Sequence, residues 1–205
     1  MISFWHILLF IFAALFLKTN SQAPCPFCKC ECENRSPLNV KQHSCVMIRS
    51  MKNLGWLYAD RNNVFTPNKH RYVYMSKSQT VGNRDAQWNV KVEPYYKKSY
   101  PLNNAGLGEW LIPGSDQLAR NAERRYVFTH QQQKSVIPKE GYFQFIKDPN
   151  NTLLGYRIRN AWSGEYLYVD EEYHQGGNFR VYLYRQHGNY DMTDKKYWFD
   201  LIPCP

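Results

Sequence analysis

Gly164-Glu165-Tyr166-Leu167-Tyr168-Val169-Asp170, followed by Val181-Tyr182-Leu183-Tyr184, is written more than once in this chain. Leu57, Tyr58, Asp60, Tyr72 and Tyr74 stand 110 residues before Leu167, Tyr168, Asp170, Tyr182 and Tyr184, and Ile48-Arg49 stand likewise before Ile158-Arg159. Half that step separates Trp88, Phe143 and Trp198, one aromatic every 55 residues. A middle copy lies between the other two with an offset of a residue or so. Gly108-Glu109-Trp110-Leu111 answers Gly164-Glu165-Tyr166-Leu167, and Arg125-Tyr126-Val127-Phe128 answers Arg71-Tyr72-Val73-Tyr74. A fixed period of this length marks a supersecondary unit that cannot bury its own apolar face and must stack on its copies. Three repeats follow, about 45–95, 96–150 and 151–205.

Within each third the apolar residues form short runs rich in Tyr, Val, Ile, Phe and Trp, broken by Gly, Asn, Asp, Pro and Lys. That is the signature of strands and turns, so the expected class is all-β. The first third predicts strands at Val46–Ser50, Trp56–Asp60, Arg71–Met75 and Trp88–Val92. The last predicts Tyr156–Arg159, Tyr166–Asp170, Val181–Tyr184 and Trp198–Ile202. The middle third predicts Glu109–Ile112, Tyr126–Thr129 and Tyr142–Ile146, with a weakly marked first strand near Leu102 because Asn103-Asn104 reads as a turn. Twelve strands in an open stack would leave unpaired edges, whereas closure into a barrel removes them and lets the repeated aromatics share one core.

The ends of the chain speak about compartment. An apolar segment from Ile7 to Leu17 gives way to Lys18-Thr19-Asn20-Ser21-Gln22-Ala23, the pattern of a secretory signal peptide over residues 1–23, with cleavage after Ala23 or after Ser21. All six cysteines lie beyond it. Cys25, Cys28, Cys30 and Cys32 crowd a Cys-rich arm over 24–44, while Cys45 and Cys204 bracket the repeats. In a secreted chain an even number of cysteines reads as disulfides, and a ring of repeats brings its ends together, which favours Cys45–Cys204 among the pairings. The four clustered cysteines are also the number a zinc knot needs, but no histidine stands at ligand spacing, so no metal or other cofactor is expected. Sequons at Asn34-Arg35-Ser36 and Asn150-Asn151-Thr152 offer Asn34 and Asn150 for glycosylation. Loss of Lys18 with the signal lowers the formal charge from +9 to +8, a modest and dispersed excess. Neither a nucleic-acid partner nor a membrane span in the mature chain is expected.

Three four-stranded repeats, each with an aromatic near its end, resemble the β-trefoil over Cys45–Pro203, within a domain spanning 45–205. Among trefoils the third repeat is most similar to the ricin-B-type lectin family. Its Tyr166-Leu167-Tyr168-Val169-Asp170, the turn Gly176-Gly177-Asn178, the run Val181-Tyr182-Leu183-Tyr184 and Lys196-Tyr197-Trp198, in place of Gln-x-Trp, follow the family's order. The resemblance implies a shallow sugar site in which Asp170 accepts hydrogen bonds from vicinal hydroxyls and Tyr184 packs on the pyranose. Asp60 and Tyr74 are the same residue types in the first repeat and imply a second site. For both aspartates the alternative is a turn residue capping its own backbone. The middle repeat has Gly114 in that place, with Phe128 as its aromatic and Asp116 as a possible substitute carboxylate. Where the family has Gln, the copies have Ala86, Gly141 and Lys196. Secreted trefoils of this style, with N-terminal cysteines and many tryptophans, are also similar to salivary proteins of blood-feeding arthropods.

The expected function is therefore a secreted, lectin-like protein that binds glycans or glycoproteins. A second class is binding of glycosaminoglycan or a host protein through Lys97, Lys98, Arg124, Arg125, Lys195 and Lys196. A third is a Kunitz-type protease inhibitor, with Gln131 to Pro138 as its exposed loop. No enzyme is expected: His43, His70, His130, His174 and His187 are scattered, and no nucleophile motif accompanies them.

Overall fold

Short, largely buried runs carry twelve β-strands and no α-helix among the described residues. The computed structural model describes residues 44–65, 70–80, 82–92, 98–118, 124–130, 137–147, 155–174, 177–184 and 193–205, with backbone alone at 115–118 and 171–174. The signal segment, all of the Cys-rich arm except Ser44, Cys25, Cys28, Cys30, Cys32, Asn34 and Asn150 lie outside them.

The first third contributes β1 (Cys45–Ser50), β2 (Trp56–Phe65), β3 (His70–Ser76) and β4 (Gln87–Val90). The second contributes β5 (Tyr100–Asn104), β6 (Trp110–Leu118), β7 (Arg124–His130) and β8 (Tyr142–Lys147). The third contributes β9 (Tyr156–Asn160), β10 (Tyr166–His174), β11 (Asn178–Tyr184) and β12 (Phe199–Pro203). Six strands close a ring through the antiparallel pairs β1–β12, β12–β9, β9–β8, β8–β5, β5–β4 and β4–β1. The other six form the hairpins β2–β3, β6–β7 and β10–β11, each with one break in register at its outer end. The hairpins join one another through β3–β7, β7–β11 and β11–β3. Every step of this scheme occurs three times, and the bond between Cys45 and Cys204 ties β1 to the end of β12 across 159 residues.

The repetition carries into the core. Ile48, Leu102 and Ile158 form one set of buried equivalents, Leu57, Leu111 and Leu167 a second, and Val73, Val127 and Val181 a third, all within one cluster. The repeated aromatic is corrected by one residue. Opposite the equivalent positions Asn104, Asn160 and Ser50 stand Trp88, Phe143 and Phe199, and these three share the central cluster. Trp198 instead joins Tyr168, Tyr182 and Tyr197 in a separate cluster, with Arg157 over its ring at 5.3 Å. Successive strand residues face opposite sides, so a one-residue slip in the period moves a side chain to the other face.

The weakly marked β5 has its own explanation. Asn104 is fully buried and its Oδ1 accepts from the N–H groups of Gly106 and Leu107, while its Nδ2 donates to the Asp85 carbonyl at 2.8 Å. Asn160 repeats this with Trp162, Ser163 and the Glu140 carbonyl. The residue that looks like a loop former ends the strand and caps the turn after it.

Candidate functional site

The aspartates named from sequence meet different neighbours. Asp170, on β10, is 7% exposed and accepts from Arg124 Nη1, on β7 of the preceding repeat, at 2.8 Å. The same guanidinium lies over Tyr168 at 5.4 Å and Tyr182 at 5.7 Å. Tyr184 is paired with Tyr166, four residues from Asp170, which is roughly 13 Å along an extended strand. Its ring packs on Tyr168 and Tyr197. The structure therefore does not bring Asp170 and Tyr184 together. The interhairpin pairings set Tyr74, Phe128 and Tyr182 as equivalents: Tyr72 faces Phe128, Tyr126 faces Tyr182, and Arg180 faces Tyr74. Asp170's natural companion is thus Tyr182, whose phenol is pushed up by burial first, against the pull of Arg180, with Tyr126 and Asp170 adding to the rise.

In the first repeat the charge of Asp60 reaches Tyr74. Burial, and then the charge of Asp60, raises the Tyr74 phenol well above its ordinary value. Asp60 Oδ1 also accepts from the Asn62 N–H at 3.0 Å, so the turn-cap role is present there. The Tyr74 hydroxyl accepts from Asn63 Nδ2 at 2.9 Å. Gly114 holds the middle position because a Cβ there would meet the Phe128 ring at 2.8 Å; the Asp116 side chain is outside the described residues. At the position of the missing glutamine stand Ala86, Gly141 and, with the one-residue correction, Tyr197 rather than Lys196. Tyr197 fills the space beside Tyr168 and Tyr184, whereas the small Ala86 sits beside Tyr58 and Tyr74.

Where β3, β7 and β11 meet, a cavity of about 230 Å³ is lined by Asn63, Tyr72, Val73, Tyr74, Tyr126, Arg180 and Val181. Tyr72, Tyr126 and Arg180 are equivalents in the three-way pairing, so an arginine stands in the place of a third tyrosine. Tyr72 and Tyr126 meet edge to face at 5.8 Å. Arg180 lies over the Tyr126 ring and donates from Nη1 to its hydroxyl at 3.3 Å. Burial works against the guanidinium's charge, but the phenols of Tyr182, Tyr126 and Tyr74 hold its pKa above the ordinary value. A fixed cation among aromatic walls and hydroxyls suits a small polar ligand with an acidic group. Tyr72, Tyr74 and Tyr126 all lie in the matched sequence runs; Arg180 became visible only through the strand register.

Sequence reading missed the inter-repeat ion pairs, among them two that are equivalent to each other. Glu109 and Glu165 are 3% and 4% exposed, and they accept from Arg71 Nε at 2.9 Å and from Arg125 Nε at 3.1 Å. The signal was the recurrence of both residue types in the matched runs, Glu109 and Glu165 after glycine and Arg71 and Arg125 before Tyr-Val. These pairs also bear on the basic loops: Arg124 and Arg125 are engaged by carboxylates, and Lys196 lies 3.7 Å from Asp194. Lys97 and residues 131–136 of the inhibitor-like loop lie outside the described residues. Among the described residues no group of three metal-ligating side chains occurs, and no helix is long and apolar enough to cross a membrane.

No protein-family model matches the chain, and no curated protein matches its sequence. Solved structures do match in shape. A salivary protein from Culex quiquefasciatus of the Cysteine and Tryptophan-Rich family is 17% identical with a TM-score of 0.57, over 79% of this chain and 94% of its own. The BEL beta-trefoil is 14% identical with a TM-score of 0.54, over 78% and 92%. A designed 3-fold symmetric protein, ThreeFoil, is 13% identical with a TM-score of 0.54, over 78% and 98%. At such identities the likeness is one of fold, and that fold is the β-trefoil.

Proposed function

We propose that this protein is a secreted, lectin-like β-trefoil of three pseudo-threefold repeats that binds carbohydrate, without catalysis, in the cavity between Tyr72, Tyr74, Tyr126 and Arg180. The observation that carries the reading is the lining itself. Tyrosine rings match the apolar faces of a pyranose, while Asn63, the phenols and the guanidinium supply donors and acceptors for hydroxyls and an acidic substituent. About 230 Å³ holds a single sugar residue rather than a chain. Few polar groups converge, so affinity should fall in the micromolar to millimolar range. This moves the principal site from Asp170/Tyr184, where Arg124 and Tyr197 occupy the ground, to the Asp60/Tyr74 side. The Cys45–Cys204 bond and the likeness to a salivary protein support secretion.

A glycan array probed with the folded, oxidised protein tests the proposal. The expected result is retention of acidic glycans that is lost in the Arg180→Met and Tyr126→Phe variants. A blank array, or retention unchanged in both variants, sinks it.

A further inference from the structure

The three joints between ring and hairpin are built alike except in one respect. At each, a residue near the end of a ring strand bridges the first residue of the following hairpin: Arg49 with Trp56, Asn103 with Trp110, Arg159 with Tyr166. On its other side the same residue faces a polar side chain of the neighbouring ring strand: Asp200, Asn89 and Gln144 respectively. In the first and third joints the arginine covers the aromatic ring, at 5.7 Å over Trp56 and 6.0 Å over Tyr166. Arg49 is held there by Asp200 at 2.7 Å, and Arg159 donates to the Gly164 carbonyl at 3.1 Å. In the middle joint the arginine is replaced by the shorter Asn103.

Two further observations show that, among the described residues, nothing has taken the missing guanidinium's place. A Cβ at Gly164 would meet Arg159 Nη2 at 3.1 Å, whereas at the equivalent Gly108 nothing lies within 4 Å. At that spot a cleft of about 510 Å³ opens, lined by Ser44, Asn89, Val90, Lys91, Asn103, Gly108 and Trp110. Trp110 is 7% exposed, and its indole Nε1–H is buried with no hydrogen-bond partner among the described residues. A buried donor without a partner is a costly feature, and it marks this joint as less completely packed than its equivalents.

We propose that this cleft is a second binding site, for an acidic pyranose of the uronic-acid class. Asn89 and Asn103 are direct cross-strand partners and both line the cleft, so their amides offer neighbouring donors and acceptors to sugar hydroxyls. Lys91 shares that face two residues beyond Asn89 and supplies a cation for the sugar carboxylate. The edge of Trp110 forms an apolar floor. The site is independent of the tyrosine cavity, and either can fail alone.

The test is a ¹H–¹⁵N NMR titration of the oxidised protein with D-glucuronate and, separately, D-glucose, each to about 50 mM, a range that reveals millimolar affinity. The readouts are the indole N–H of Trp110 and the side-chain amides of Asn89 and Asn103. Saturable shifts are expected with glucuronate, several-fold weaker binding with glucose, and at least a tenfold loss in Asn103→Arg, which restores the residue found at the other two joints. Lys91→Gln should lower glucuronate affinity toward that of glucose. If Asn103→Arg folds poorly, Asn89→Ala, at an exposed position of β4, serves instead, with the same loss expected. Absence of saturable shifts, undiminished binding in both variants, or glucose binding as tightly as glucuronate overturns the proposal. Arg180→Met should leave the Trp110 shifts intact. If it abolishes them, the two sites are not separate and this inference falls while the tyrosine cavity survives.

Discussion

Replacing Arg71 by methionine removes the cation from a carboxylate that has almost no access to water. Glu109 is 3% exposed, its Oε1 accepts from Arg71 Nε at 2.9 Å, and its Oε2 accepts from Thr129 Oγ1 at 2.6 Å. Breaking a buried pair from one side costs about 3–5 kcal/mol, because the remaining charge is stranded. Thr129 still serves one oxygen, and Arg71 keeps 22% of its side chain in solvent, so the lower end, about 3 kcal/mol, is expected. For a domain of this size that corresponds to a fall in Tm of about 6–12 °C. The sister pair sharpens the forecast. Glu165 has no hydroxyl partner on Oε2, because Leu183 stands where Thr129 stands in the preceding repeat, so Arg125→Met should cost more, toward about 5 kcal/mol. Urea unfolding followed by tryptophan fluorescence reports these values as midpoint shifts at constant m. A double-mutant cycle with Glu109→Gln should show strong coupling. A loss below about 1 kcal/mol for Arg71→Met, or strict additivity in the cycle, would place the pair in the class of surface ion pairs and refute the reasoning.

Thr129→Val should cost about 1–3 kcal/mol in the same assay, by leaving Glu109 Oε2 unpaired at nearly constant volume. Phe199→Ala should cost about 3–5 kcal/mol, since Phe199 is fully buried in the central cluster. Reducing the Cys45–Cys204 bond, which closes a loop of 159 residues, should lower stability by about 4–5 kcal/mol on the chain-entropy account, read as the change in urea midpoint with reductant. His70 and His130 meet edge to face with ring centres 4.6 Å apart, and both imidazoles are held below their ordinary value, by burial first and, for His70, next by His130. The unfolded chain therefore binds more protons, so stability is complete above about pH 6.5 and declines as pH falls below it. Urea midpoints between pH 5 and 8 should show that decline flattened in a His70→Asn/His130→Gln variant.

Much of the architecture was legible because the positions that build it repeat. Leu57, Leu111 and Leu167 are apolar in every copy, since each faces the same shared interior, and such sets predict twelve strands and a closed core without coordinates. What sequence could not decide was register. A Tyr-x-Tyr run matches itself when slid by two residues, so Tyr72 and Tyr74 align with Tyr182 and Tyr184 at a step of 110, although the strand pairings align Tyr74 with Tyr182 at 108. That slip transferred a site role to Tyr184. Adjacent Trp198 and Phe199 created the same ambiguity by one residue.

Asp170 misleads for a different reason. Its recurrence with Asp60 is real, but the partner that fixes it, Arg124, belongs to another repeat and has no arginine counterpart: the equivalent places hold His70 and Asn178. A property supplied by a neighbouring repeat cannot be read from the repeat that displays it. The same logic separates scaffold from site across the molecule. Positions kept in all three copies, such as the buried leucines, close the core. Positions where one copy departs from the other two, Arg180 among tyrosines and Asn103 among arginines, break the threefold repetition, and both cavities open beside them.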